Sequence, residues 1–149
     1  MNQFRRLSDS VMASPQISLG DIAAAHAQGV SLIICNRPDD EDEGQLSSAA
    51  IQQAASDKGI GFLSIPITHT GFSQRQVDAM ADALERTLAE PQGKVLAYCR
   101  SGTRSTLLWA LAQSANGGDP EQLAQQARAA GYDVGPVRPA MDMLAGKNS

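Results

Sequence analysis

Seven consecutive residues, Cys99-Arg100-Ser101-Gly102-Thr103-Arg104-Ser105, gather a thiol, two guanidiniums, a glycine and three hydroxyls. The apolar run "KVLAYC" leads into them and "TLLWALAQSA" follows, so the stretch reads as a buried strand turning into a helix. At such a junction the backbone N–H groups from Arg100 to Ser105 are expected to converge on one point, an anion cradle that the helix dipole reinforces. Gly102 allows the sharp turn and the close backbone approach. Thr103 or Ser105 is expected to hydrogen-bond the thiol, and Arg104 to reach back as a two-pronged donor to an oxyanion. Donors that hold an oxyanion also favour a thiolate, so Cys99 is expected to be a nucleophile toward an anionic substrate. Cys35, inside "SLIICN", reads instead as a small core residue.

Other polar residues carry weaker signals. Arg37 sits just past the run "SLIICN", where it could bind an anion at the rim or pair with the acidic run "DDEDE" that follows. Tyr132 and the segment "VGPVRPAM", with Arg138, are candidates for a wall near the site, whereas Leu108 and Trp109 read as core. The two histidines and two cysteines show no ligand spacing, so no metal is expected. No dinucleotide or Walker glycine pattern occurs, and no cofactor is expected.

The elements that must position the Cys99 loop follow from periodicity and punctuation. Apolar runs at "VSLIICN", "IGFLSIPI" and "KVLAYC" are too short for buried helices and read as strands, with a weaker strand around Val11–Ala13. Between them lie helical stretches. Ser18 with Asp21 and Ser73 with Gln76 form capping boxes, and Ser47 or Ser48 opens another helix. Val77, Met80, Leu84 and Leu88 recur at helical spacing on the longest one. A helix is expected over 103–115, and Asp119 with Pro120 opens the next. The closing segment is expected to hold one helical turn or two. "RPDDEDEGQ" must be a loop. Strand and helix alternate, so the class is α/β, a central, mainly parallel sheet between helices, in one domain over residues 1–149.

Composition excludes several functions. The chain has 149 residues, 42% apolar, and a net charge of -4, with no basic cluster interleaved with aromatics, which argues against nucleic acid as a partner. No apolar stretch is long enough to span a membrane or to form a signal peptide. Two cysteines do not make a disulfide scaffold, and a reducing cytoplasm is the expected location.

The chain resembles a family of small bacterial domains related to dual-specificity phosphatases, the phosphatase-like domain of beta-lactamase hydrolase-like proteins, whose members are also assigned as sulfurtransferases. The resemblance covers roughly residues 4–145 and is carried by "SPQIS", "ICNRPDDEDEGQ", "IPI" and "YCRSGTRS". It implies a three-layer cysteine-phosphatase-like fold, with Cys99 as nucleophile, Arg104 as oxyanion ligand and Arg100 to Thr103 and Ser105 as the binding loop. Such phosphatases place five residues between Cys and Arg; this chain has four, the rhodanese-like spacing. They also take a proton from an Asp in the loop that here reads "IPITHTGFSQ", which has no acid; His69 is its only titratable residue, with Asp39 and Asp40 as donors from another loop. Sulfane transfer from thiosulfate expels sulfite and needs little acid help. The first expectation is therefore a sulfurtransferase working through a Cys99 persulfide, with thiosulfate or a persulfide as donor. A persulfide dioxygenase or a thiol is the implied partner. Alternatives are a cysteine-dependent phosphatase acting on phosphotyrosine or small phosphate esters, and a non-catalytic persulfide or anion-binding module.

Overall fold

The computed structural model describes residues 3–146. The reading of one domain over 1–149 therefore reaches past the described residues at both ends. Five strands form one sheet: β1 (Arg5–Arg6), β2 (Val11–Ser14), β3 (Leu32–Cys35), β4 (Gly61–Ser64) and β5 (Val95–Tyr98), in the order β1-β2-β5-β3-β4. All neighbours are parallel except β1, which runs antiparallel to β2. β5 lies at the centre and is buried throughout, as its unbroken apolar sequence requires.

Among the described residues there are six α-helices: α1 (Leu19–Ala27), α2 (Ser48–Asp57), α3 (Gln74–Leu88), α4 (Thr103–Ala115), and α5 (Pro120–Ala129) and α6 (Arg138–Gly146), which pack on α4. Both capping boxes form, Ser18 with Asp21 on α1 and Ser73 with Gln76 on α3, and Ser47 caps α2. Ile22, Ala25, Ile51 and Ala55 bring α1 and α2 onto one face, against Ile33, Cys35, Leu96 and Tyr98. The other face, with Ile34, Val95 and Ala97, packs on α3 through Val77, Met80 and Leu84 and on α4 through Leu108 to Ala112. The result is the three-layer α/β architecture.

The sequence reading needs two corrections here. β1 escapes it, because two exposed arginines carry no alternation and their pairing with Met12 and Ala13 is a tertiary event. The closing segment is more helical than expected: a 3-10 turn at Gly135–Val137 runs into the nine residues of α6. Leu88, at the end of α3, is partly buried and packs against the same core as Val77, Met80 and Leu84, as its helical spacing predicts.

α4 is what makes the site rigid. Eight of its residues, from Ser105 to Ser114, are buried, and α3, α5, α6 and the sheet all touch it. Its N-terminus therefore presents a fixed end to the Cys99 loop. Among the described residues no helix is long and apolar enough to cross a membrane.

Candidate active site

Cys99 follows β5 directly, at the carboxyl edge of the sheet where open α/β folds bind ligands. Backbone bonds from both neighbouring strands fix its position: Cys99 N donates to Ser14 O (3.2 Å), and Asn36 N donates to Tyr98 O (2.8 Å). The loop then turns through Gly102, whose φ of 94° needs a glycine, and α4 begins. The Gly102 N–H points back at the sulfur, 3.0 Å away.

The two hydroxyls offered as alternatives for bonding the thiol have other partners. Ser105 Oγ donates to Asn36 Oδ1 (2.8 Å), and Thr103 Oγ1 accepts from Ser101 Oγ (3.0 Å). The physical reason is direction. Ser105 has already turned onto the buried side of α4, and Thr103 faces solvent in its first turn. The cradle expected from six N–H groups is correspondingly narrower, since Thr103 N is drawn to Ser101 Oγ (3.3 Å).

Arg104 is held rather than free. Its Nη1 donates to Glu41 Oε2 and to Ile67 O, both at 2.7 Å, and its Nη2 donates to Glu41 Oε1 at 2.8 Å. A guanidinium has five N–H groups in a fixed plane. Glu41 takes the end-on pair and Ile67 the outer Nη1–H. The two that remain, Nε–H and the second Nη2–H, form the side-on fork. One edge of Arg104 is thus a clamp, and only its other edge could serve the oxyanion fork expected of it.

Glu41 comes from the acidic run, where Asp39 and Asp40 had been the residues singled out. Asp39 instead accepts from Ser48 N (2.7 Å) and Ser48 Oγ (3.0 Å) at the start of α2. Asp40 is an exposed residue with φ 65°. His69 lies exposed in the turn between Thr68 and Gly71. Arg37 is 4% exposed and donates to Glu41 Oε1, Gln16 Oε1 and Asp42 Oδ2, the ion-pairing role of its two alternatives. Arg100 stays largely exposed, 3.4 Å from Asp42. Asn36, which sequence reasoning passed over, is fully buried and links the three strand ends to α4 through Ile65 O and Ser105 Oγ. A lone Asn closing a buried apolar run was the available signal. Tyr132 does reach the site, donating to Ser101 O (3.2 Å), while Arg138 is taken up by Glu121 and Asp142.

The Arg104 hydrogen bonds hold the Glu41 carboxyl down at about 2, against a loss of solvation, and Arg37 adds to the effect. A carboxyl depressed in the folded state gives stability that is complete above its unfolded value, 4.5, and is lost as pH falls toward 2. The Glu41 side chain is 27% exposed, so solvent screening reduces the gain. Glu41→Gln is expected to cost about 1–2 kcal/mol at neutral pH and almost nothing at pH 2. Urea unfolding of both proteins across this window checks it; a difference that does not shrink with acid would remove the ion pair as the cause.

Fold and site together define a cysteine-phosphatase-like α/β domain with a thiol and an arginine on one strand-to-helix loop. Residues 3–116 match the family described as beta-lactamase hydrolase-like protein, phosphatase-like domain, and the chain belongs to that family. It is 31% identical over 109 residues to the beta-lactamase hydrolase-like protein of Xylella fastidiosa strain Temecula1, a match covering 72% of this chain and 24% of that protein. The chain thus spans about a quarter of that relative's length. The crystal structure of a candidate phosphatase from Neisseria meningitidis Z2491 superposes with a TM-score of 0.78 at 31% identity, covering 97% of this chain and 99% of that one. Tk-PTP in its active form shares the fold, with a TM-score of 0.76 at 16% identity over 97% of each chain.

Proposed function

We propose that the protein is a cysteine-dependent phosphatase that favours esters with good leaving groups. What carries this reading is one loop that holds both the Cys99 thiol, with the Gly102 N–H 3.0 Å from its sulfur, and Arg104, whose side-on edge Glu41 and Ile67 leave open to a tetrahedral oxyanion. The family match and the phosphatase-like fold support it. Cys99 Sγ attacks phosphorus, the S–P bond forms, and the ester oxygen leaves with the electron pair. Water then cleaves the S–P bond and returns thiolate and phosphate. Cys99 has no exposed surface, so substrate entry requires a neighbouring side chain to move.

The leaving-group preference follows from the carboxylates. Glu41, held at about 2, carries no proton near neutral pH and cannot act as the acid. Asp39 is committed to the start of α2. His69 and Asp40 remain as donors, and both are exposed. An aryl ester departs with little proton transfer, whereas an alkyl ester depends on it.

A second reading, sulfane transfer, is favoured by the four-residue spacing between Cys99 and Arg104 and by the acid-free stretch "IPITHTGFSQ". It stood first on sequence grounds and comes second because the fold and family likenesses are to phosphatases. One preparation assayed with p-nitrophenyl phosphate, an alkyl phosphate and thiosulfate plus cyanide separates the two. The aryl ester is expected to exceed the alkyl ester in kcat/KM by about 10²-fold or more. Sulfur transfer outrunning aryl phosphate hydrolysis, with a persulfide on the Cys99 peptide by mass spectrometry, would reverse the order.

A further inference from the structure

Tyr132 lies 33 positions from Cys99, beyond the residues that carry the family match, yet it touches the loop at a mechanically decisive point. The peptide unit joining Ser101 to Gly102 contributes both the Ser101 carbonyl and the Gly102 N–H. In a planar trans amide these two groups point in opposite directions. The N–H end donates to Cys99 Sγ at 3.0 Å, and the carbonyl end accepts from the Tyr132 hydroxyl at 3.2 Å. One amide is therefore fastened at both ends, by the nucleophile on one side and by Tyr132 on the other.

That fastening matters because the backbone alone would let the amide turn. Gly102 sits at φ 94°, and a glycine can exchange this conformation for others at little cost. Rotation of the Ser101–Gly102 unit would carry the N–H away from the sulfur and put a carbonyl dipole in its place. Tyr132 opposes this in two ways. Its hydroxyl holds the carbonyl, and its ring fills the space over Gly102: a Cβ built there would lie 2.1 Å from the Tyr132 hydroxyl and 2.9 Å from Cζ. Donation to the carbonyl also polarises the amide and strengthens its N–H toward sulfur.

The strut itself is rigid. Tyr132 N donates to Ala127 O (2.9 Å), locking the residue onto the end of α5, and the Arg5 guanidinium lies over the ring at 5.4 Å. Arg5 is in turn tied to Ala130 O at 3.0 Å. The end of α5 and the β1 edge strand thus fix the hydroxyl from two sides.

We propose that Tyr132 is a positioning residue for the nucleophile: by fixing the Ser101–Gly102 peptide it keeps the Gly102 N–H aimed at Cys99. Its catalytic consequence rests on the phosphatase reading, but the geometry can be tested apart from it. Tyr132→Phe removes the hydroxyl and keeps the ring and its Arg5 contact. Solvent exchange of the Gly102 amide, measured by NMR on 15N-labelled protein, is expected to be slow in the wild type. It should accelerate about three- to tenfold in Tyr132→Phe, while the Thr106 amide, bonded to Gly102 O inside the helix, does not change. With p-nitrophenyl phosphate, kcat should fall by a similar about three- to tenfold factor and KM much less. An unchanged Gly102 exchange rate, or a Gly102 amide already unprotected in the wild type, would overturn the proposal. A wild type inactive on phosphate esters but showing the exchange difference would sink the phosphatase reading and leave the strut standing. If both amides accelerate together, Tyr132 serves stability alone and the positioning role is lost.

Discussion

Cys99→Ser is expected to fold like the wild type, to bind phosphate, and to lose at least about 10⁴-fold in turnover of aryl phosphates. The fold should survive because the replacement is smaller by little and keeps an acceptor for the Gly102 N–H, now an oxygen. The backbone bonds that fix the position, from Cys99 N to Ser14 O and from Asn36 N to Tyr98 O, do not involve the side chain. Binding should survive because the side-on fork of Arg104 is untouched. Turnover should not, because a serine hydroxyl needs a base to become a nucleophile and the carboxylate nearest the loop arginine, Glu41, is saturated by Arg37 and Arg104. Thermal unfolding, phosphate titration by calorimetry and the hydrolysis rate read the three expectations separately. A variant that still turns over would move the nucleophile away from Cys99. A wild type and variant that bind phosphate equally and hydrolyse nothing would favour the reading of an anion-binding module.

Much of what places Cys99 is local and therefore legible in the sequence. The capping boxes at Ser18 and Ser73 involve residues three apart, and the apolar runs ending at Cys35 and Cys99 can only be buried strands. The strand-to-helix junction at Gly102 follows from residue types alone. What is not legible is long-range. The acidic run from Asp39 to Glu43 looks like a solvated loop, and nothing in its composition distinguishes Glu41 from its neighbours. Only the fold brings Glu41 to Arg104, 63 positions away, with Arg37 as the buried cation that bends the loop inward. Two arginines at 5 and 6 show no strand signal because their partners are the backbone of β2. Tyr132 could be placed near the site from the turn that follows α5, but its aim at one carbonyl depends on where α5 ends. Side chains whose roles are set by a neighbour close in sequence could be read; those set by the packing of distant elements could not.

Arg104→Lys is expected to lower kcat/KM by about 10²- to 10³-fold although the charge is kept. The argument is a count of donors. Arg104 spends three N–H groups on Glu41 and Ile67 and keeps two, coplanar and parallel, for the oxyanion. An ammonium has three N–H groups on one atom, arranged in a cone. It can satisfy Glu41, or the Ile67 carbonyl and an oxyanion, but it cannot clamp one side while presenting a parallel pair on the other. The loss should fall mainly on kcat, because oxygens that gain charge in the transition state depend most on the fork. Glu41→Gln supplies the complementary test. It loosens the clamp and keeps the fork, so its own effect on rate should be smaller. In the double variant it should cost little more, since the lysine has already given up the geometry Glu41 maintains. Rates for the four proteins close the cycle. A lysine variant near wild type would reduce Arg104 to a point charge, and strictly additive losses would mean that Glu41 and Arg104 act on the reaction independently, against the two-edged role assigned to the guanidinium.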